Sequence, residues 1–465
     1  MPAGVRLSSL TERATLTPLT KRVLVLCFLV MMADNYDNTA MAFSMPQLVR
    51  EWHITKVTIG WLFTAGLFGL MVGSIIFGWL GDRIGRRAAL VAGLVWFGIL
   101  TLLTMGAHDV PQMLVLRFLA GLGIGGALPN AVALVNEYSP RRLRVFVVAV
   151  IFAGYTLGGS GGGFIAAWLM PIYGWPVVFL VGGVVPLVLA GALWLFLPES
   201  IRFLALHPSK QKEALSVAQQ MAPDVSLSPD TKLVDDTEAE TATKPRFKDL
   251  FAGPRAMMTP LLWLLYIANS MAVFAITNWL PILIESSGLP PARAALGATL
   301  WSIGGTIGGL LASRLVDRIG LWSIVGFVLL GCPLTASLGM FGTTAGLLFF
   351  AIFFAGFFVV GTQNSLHGIA GSIYPTANRA NGVGWALGIA KIGSISGPFA
   401  VGLLLSAGLT IRELFLTAAI PLFVGLVSSF LLMRLYNRHV HGHGGDGMQA
   451  PPGVTDAMPA TLATP

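Results

Sequence analysis

An all-α membrane protein, with twelve transmembrane helices in two pseudo-symmetric six-helix halves and both termini cytoplasmic, is the fold class this sequence predicts. Three observations carry it. The 465 residues are 55% apolar and only 11% charged, with a strongly positive mean hydropathy, which excludes an ordinary soluble protein. Apolar runs of about 20 residues, the length that crosses about 30 Å of hydrocarbon, recur along the whole chain. A fixed offset of 235 residues relates one half of the chain to the other.

The first six runs lie near 23–45, 59–80, 88–107, 111–134, 145–168 and 175–197. Six more lie near 258–284, 294–315, 321–342, 345–370, 381–406 and 413–434. Each is expected to be helical, because a segment in lipid must satisfy its backbone groups internally. The chain then divides into a cytoplasmic tail (1–22), an N-terminal half (23–197), a cytoplasmic linker (198–257), a C-terminal half (258–435) and a disordered cytoplasmic tail (436–465). The first 22 residues are polar and basic and lead straight into a span too long for a signal core, so no cleavable leader is expected. Within the linker a short amphipathic helix is expected near 210–221, and 222–244 reads as flexible.

Orientation follows from the basic residues. Of the 29 Lys and Arg, all but six fall in the tails and in the loops on the same side as them. The six are Arg50, Lys56, Arg293 and Arg412 in opposite loops, and Arg117 and Lys391 within spans. The net charge of +8 has this origin, so it is no sign of nucleic-acid binding. Cys27 and Cys332 lie in spans of opposite halves, where no disulfide is expected. The histidines after Arg438 read as a solvated tail, and no metal or other cofactor is expected.

The repeat is read from GDRIG at 81–85 and VDRIG at 316–320. The same offset superposes Pro46 on Pro281, Asp34 on Asn269, Ala120 and Gly121 on Ala355 and Gly356, Pro140 on Pro375, and Arg144 on Arg379. Two homologous halves in parallel arrangement are a transporter architecture, with the site expected near the membrane midplane.

Ionisable groups inside spans are functional-site candidates by default. Asp34 and Asp37, in the stretch DNYDNTAM, are three residues apart and share a helix face. By the helical rise of about 1.5 Å per residue, Asp37 and Arg117 fall at nearly one depth. Two readings fit: carboxylates whose protonation switches as burial and a nearby cation compete, or a permanent bridge between spans one and four. Lys391 lies near the midplane of span eleven, facing an anionic substrate or an acid of the first half. Gln363 and Asn364 can hydrogen-bond a substrate carboxylate or ring hydroxyl, and Tyr36 can stack on a ring. Phe43, Trp61, Trp279, Trp301 and Trp385 can also stack, or can serve as packing and interfacial residues. Asn269 and Asn278 add neutral polar groups to the second half. His367 reads as a structural histidine or as a group titrating near neutrality. Glu137 lies at helical spacing from Arg141 and Arg144, and suits a gating or stabilising salt bridge more than proton carriage. The run GYTLGGSGGG at 154–163 permits close helix contact.

GWLGDRIGRR at 78–87 resembles the loop signature of the major facilitator superfamily between its second and third spans. The resemblance covers nearly the whole chain and implies the major facilitator fold. In that family such loops latch the cytoplasmic side, which assigns a gating role to Asp82, Arg83, Arg86 and Arg87, with Glu137 and Arg144 beside them. Asp82 is expected at the N-terminal dipole of a nearby helix. Asp317 and Arg318 are the equivalent gate in the second copy, where Ser313 and Leu321-Trp322 depart from the pattern.

Within the superfamily the sequence is most similar to the aromatic acid:proton symporters. Asp34 and Asp37 match the two acids of their first-span motif, with Asn35 and Tyr36 in place of Gly and Phe. RFLAGLGIGG at 117–126, EYSPRRLR at 137–144 and YPTANRANGVGWALG at 374–388 are also similar, with Lys391 where those symporters tend to have Arg. PESIRFL at 198–204 is shared loosely with sugar porters. GYTLGGSGGG also resembles an antiporter motif, with Gly159 in place of its proline.

The resemblance implies a monomeric, multi-pass protein of the bacterial inner membrane, importing an aromatic carboxylate with protons by alternating access. Its partners are then the anionic small molecule, protons and the lipid bilayer, with no nucleic acid. Transport of a non-aromatic organic acid or sugar-like solute, and proton-driven efflux, stay open. A transporter-like sensor would need a larger cytoplasmic domain than a linker of about 60 residues, a flexible-spacer length. An enzyme is not expected, since no nucleotide loop, metal cluster or nucleophile constellation is present in the sequence.

Overall fold

The structure is a computed structural model, and it describes residues 5–7, 16–140, 143–223, 228, 231, 233–234, 247–341, 345–374 and 379–442. In chain order the helices of the first half are α1 (Pro18–Trp52), α2 (Lys56–Ile84), α3 (Arg86–Thr104), α4 (Val110–Ile124), α5 (Ala127–Tyr138), α6 (Arg144–Tyr173) and α7 (Pro176–Phe196). Two linker helices follow, α8 (Ile201–Leu206) and α9 (Gln211–Met221). The second half holds α10 (Arg255–Ser286), α11 (Pro291–Ile319), α12 (Trp322–Ser337), α13 (Ala345–Ile373), α14 (Arg379–Ser406) and α15 (Ile411–Gly442).

Local chemistry sets many of these ends. Thr17 caps α1, accepting from the Thr20 amide at 3.2 Å, and Pro18 occupies the first turn, where its missing N–H costs nothing. Asp109 caps α4 in the same way through the Gln112 amide at 2.8 Å. His53 adopts the left-handed conformation that stops α1.

Among the described residues, eleven helical segments are long and apolar enough to cross a membrane, with α4 and α5 together making one span, Val110–Tyr138. The chain is therefore a multi-pass membrane protein. Helix α1, at 35 residues, is long enough as well, but the DNYDNTAM stretch dilutes its apolar character. Large apolar side chains such as Ile75, Val188, Leu195, Phe350 and Ile420 are left exposed on these helices, as a lipid-facing surface requires.

The chain forms two units, Met1–Ile54 with Trp61–Ala242 and Thr55–Gly60 with Thr243–Pro465. Each has its own core. Phe97, Leu134, Tyr138, Ile151 and Leu193 are fully buried in the first, and Leu262, Tyr266, Ile324, Ile369 and Leu432 in the second.

The 235-residue offset reappears as packing. A Cβ on Gly158 of α6 would lie 2.0 Å from the Met32 carbonyl oxygen of α1, and one on Gly393 of α14 would lie 2.1 Å from that of Ile267 in α10. Gly69 against Phe118 and Gly304 against Phe353 repeat the relation, each with 2.1 Å to a carbonyl oxygen. All four pairs differ by the same offset, so each unit packs its own helices by the same close contacts. In Gly158, the glycine-rich run of span five thus serves helix approach.

Two sequence expectations need correction. Residues 222–244, expected to be flexible, contribute a short strand: β1 (Val5–Arg6) pairs in parallel with β2 (Leu233–Val234). Two-residue strands are too short to leave a periodic signal. The linker helix expected near 210–221 is α9, which buries Ala214, Val217, Ala218 and Met221 in the first core. At the other end α15 continues to Gly442, past the expected boundary at 435, because helical hydrogen bonding outlasts the apolar run that located the span. The histidine-containing tail from residue 443 lies outside the described residues.

Candidate functional site

The two acids of α1 go to different neighbours. The Arg117 guanidinium of α4 grips Asp37 with a two-pronged contact, Nη1 donating to Oδ1 at 2.9 Å and Nη2 to Oδ2. Both side chains are only 4% exposed. The Phe179 ring of α7 lies against the guanidinium, 5.6 Å from ring centre to Cζ. Asp34, one turn earlier, is equally buried and acts electrostatically on Tyr155 of α6, whose hydroxyl bonds to the Asn38 side chain. Asn35 donates to the Tyr155 carbonyl at 2.8 Å. The spacing of three residues thus points one acid at α4 and the other toward α6. Tyr36 donates its hydroxyl to the Val178 carbonyl at 2.9 Å, and its ring lies beside Gly182, which fixes this side chain between α1 and α7.

A bidentate contact between guanidinium and carboxylate is among the stronger hydrogen-bonded pairs a protein makes. Removing either partner leaves an uncompensated buried charge, which costs about 3–5 kcal/mol. In the second half the positions one offset further on are Ala272 and Ile352, both buried and both apolar. The same packing is therefore built there without the ion pair.

In the second half, α10 and α13 meet through neutral amides. Asn269 Nδ2 donates to the Val359 carbonyl at 3.2 Å and to Gln363 Oε1 at 2.8 Å, and Ser270 Oγ donates to the same Gln363 oxygen at 3.3 Å. Asn364 turns elsewhere: its side chain abuts Gly309 of α11. Lys391 of α14 is half-buried, and its carbonyl accepts from Ser394 Oγ at 3.0 Å. Gly393 packs on the Ile267–Met271 turn of α10, so Lys391 sits near the level of Asn269. The His367 side chain lies outside the described residues. Trp279 and Trp301 are buried and donate to the Pro398 carbonyl and to Thr277 Oγ1, so they are packing residues. Asn278 bonds back to the Phe274 carbonyl of its own helix.

At the cytoplasmic loop, Arg86 is the hub. It bonds Asp82 at 3.2 Å and, through Nε, Glu137 at 3.1 Å. Ser200 Oγ donates to the other Glu137 oxygen at 2.5 Å. Arg83 stacks on the Trp79 ring at 4.2 Å, and Arg87 on the Trp194 ring at 5.0 Å.

One expectation is corrected here. Asp82 does not meet a helix N-terminus: its side chain is 71% exposed. Glu199 does so instead, accepting from the Arg87 amide in the first turn of α3 at 3.0 Å and from its neighbour Ser200 at 2.8 Å. Gly85 makes room for it, with φ of 103° and the Glu199 carboxylate where a Cβ would stand. Glu137 pairs with Arg86 and Ser200, at the loop after α2 and the start of the linker. Arg141 lies outside the described residues, as do the side chains of Arg144 and Asp317, while Arg318 is exposed.

Sequence reasoning missed Glu199, Ser200 and Tyr138, whose hydroxyl donates to the Glu199 carbonyl. The signal was present in the Pro-Glu-Ser stretch after span six, a helix-capping pattern: Ser200 accepts from the Phe203 amide at 3.1 Å to start α8.

Two repeated sets of long apolar helices, with a buried ion pair in one and a polar amide cluster in the other, are the architecture of a membrane transport protein. The Major Facilitator Superfamily matches residues 25–341 and 262–453, and the chain belongs to that family. It is 36% identical to the 4-hydroxybenzoate transporter PcaK of Pseudomonas putida, over 86% of this chain and 89% of the relative. It is 34% identical to a gallate transporter of Pseudomonas putida, over 87% and 90%. With the benzoate transport protein of Acinetobacter baylyi it shares 32% identity over 93% of each chain. Among solved structures, that of a D-xylose-proton symporter superposes with a TM-score of 0.69 at 14% identity, covering 90% of this chain and 98% of the other, a likeness of fold.

Proposed function

We propose that this protein imports an aromatic carboxylate of the hydroxybenzoate type, together with protons, by alternating access in the bacterial inner membrane. In this reading α1 is the twelfth span and both termini are cytoplasmic. Residues 23–197 and 258–435 are the two moving halves, 198–257 links them, and the monomer is the working unit. Asp37 with Arg117, and Asp34 beside them, carry the coupling proton. Lys391 attracts the carboxylate, Gln363 binds the substrate's polar substituents, and Tyr36 and Asn364 hold the helices that form the site. Asp82, Arg83, Arg86, Arg87, Glu137, Arg144, Asp317 and Arg318 gate the cytoplasmic side.

The observation that carries the coupling assignment is the apolar pair Ala272 and Ile352 at the positions equivalent to Asp37 and Arg117. The helix packing common to both units needs no charge there, and a buried ion pair is often no more stable than an apolar replacement. Its presence in one unit alone supports a functional pair over a brace. The names of the relatives, transporters of 4-hydroxybenzoate, gallate and benzoate, support the substrate class. The test is uptake of labelled 4-hydroxybenzoate into proteoliposomes under an inward proton gradient. Accumulation that a protonophore abolishes and aromatic acids compete is the expected result. Extrusion under the reversed gradient, or competition by aliphatic acids alone, would replace this reading.

A further inference from the structure

The amide cluster of α10 and α13 has a direction built into it. The Val359 carbonyl can only accept, so Asn269 must turn its nitrogen toward it. The group on Gln363 that meets that same nitrogen at 2.8 Å must then be its oxygen. Ser270 adds a second donor to that oxygen. Both amide orientations are thereby fixed, and each leaves one group over. Gln363 Nε2 keeps its two hydrogens, donating to nothing among the described residues. Asn269 Oδ1 is buried and accepts from nothing, on a residue only 1% exposed.

A spare donor and a spare acceptor on adjoining amides match one kind of ligand group. A hydroxyl accepts through its lone pairs and donates through its hydrogen, and so serves both. A carboxylate only accepts, which leaves Asn269 Oδ1 unserved. Buried polar groups are rarely left unpaired, and a site built around a substrate hydroxyl penalises an analogue that lacks it. The cluster is uncharged where the first half has Asp34, one offset away, so it adds no charge to compete with Lys391 for the carboxylate.

We propose that Asn269 and Gln363 form a subsite that reads a ring hydroxyl and selects hydroxylated over unsubstituted aromatic carboxylates, with Ser270 as a positioning residue. This rests on the aromatic-acid reading above. The test compares half-saturation concentrations for labelled 4-hydroxybenzoate and benzoate, in proteoliposomes, for the unaltered protein, Gln363→Met and Ser270→Ala. Methionine keeps the length of the side chain and removes the donor. The expected result for Gln363→Met is a rise of about tenfold for 4-hydroxybenzoate, the equivalent of one neutral hydrogen bond, with benzoate unchanged. Ser270→Ala should give a smaller shift confined to the same substrate. Unchanged benzoate uptake also shows that a variant is folded.

An equal shift for both acids, or none for either, overturns the subsite and leaves aromatic-acid import standing. If Gln363→Met transports neither acid, Ser270→Ala decides: a hydroxyl-specific shift supports the subsite, and an equal or absent one overturns it. If the unaltered protein takes up neither acid, the import reading fails and the subsite fails with it.

Discussion

The Asp37 and Arg117 pair can be taken apart in a way that the second half of the molecule itself suggests. Asp37→Asn leaves the Arg117 cation buried opposite a neutral amide, and removal of one partner from such a pair costs about 3–5 kcal/mol. For folded units of roughly 200 residues, each kcal/mol lowers the melting temperature by about 2–4 °C, so the variant should melt roughly 6–20 °C lower. The double variant Asp37→Ala with Arg117→Ile installs the residues found at 272 and 352, where both are buried. It removes both charges at once, and its stability should return close to that of the unaltered protein. Two assays then separate function from stability. Accumulation driven by a proton gradient should be lost in the single and the double variant alike. Counterflow exchange, which needs binding and alternating access but no net proton movement, should survive in the double variant. Gradient-driven accumulation by a restored, stable double variant would refute the reasoning and make the pair a brace between α1 and α4.

Lys391→Ala should raise the half-saturation concentration about ten- to hundredfold for a carboxylate, the loss of one charge-assisted hydrogen bond, and leave that for the neutral amide unchanged; competition assays with benzoate and benzamide check this. Gly158→Ala and Gly393→Ala should each lower the melting temperature by the equivalent of about 1–3 kcal/mol, because the added methyl overlaps a backbone carbonyl. Gly191→Ala, where a Cβ meets nothing within 4 Å, should be neutral or slightly stabilising in the same melt. Glu199→Ala should destabilise the protein more than Asp82→Ala, since Glu199 serves two backbone amides while the exposed Asp82 contributes about 0–1 kcal/mol. Equal melting temperatures for those two variants would contradict the assignment of Glu199 to the α3 terminus.

What the sequence made legible was whatever repeats or persists locally. Apolar runs located the spans, and an offset first seen in GDRIG and VDRIG turned out to govern which glycine meets which carbonyl. The depth argument for Asp37 and Arg117 worked because a helix converts residue number into height. Partners across helices are another matter. Glu137 is 51 residues from Arg86 and 63 from Ser200, and no local spacing points to either. The expectation that Asp82 meets a helix N-terminus failed for the same reason, since Glu199, 112 residues from Arg87, takes that place at the start of α3. The repeat also carries information that each half alone does not. Where both halves keep a residue, as at Gly158 and Gly393, the fold needs it; where one half keeps charge and the other is apolar, as at Asp37 and Ala272, packing is satisfied either way. The polar residues that differ between the halves are therefore the ones proposed for transport chemistry, which is the ground on which Asp37, Arg117, Lys391 and Gln363 stand together.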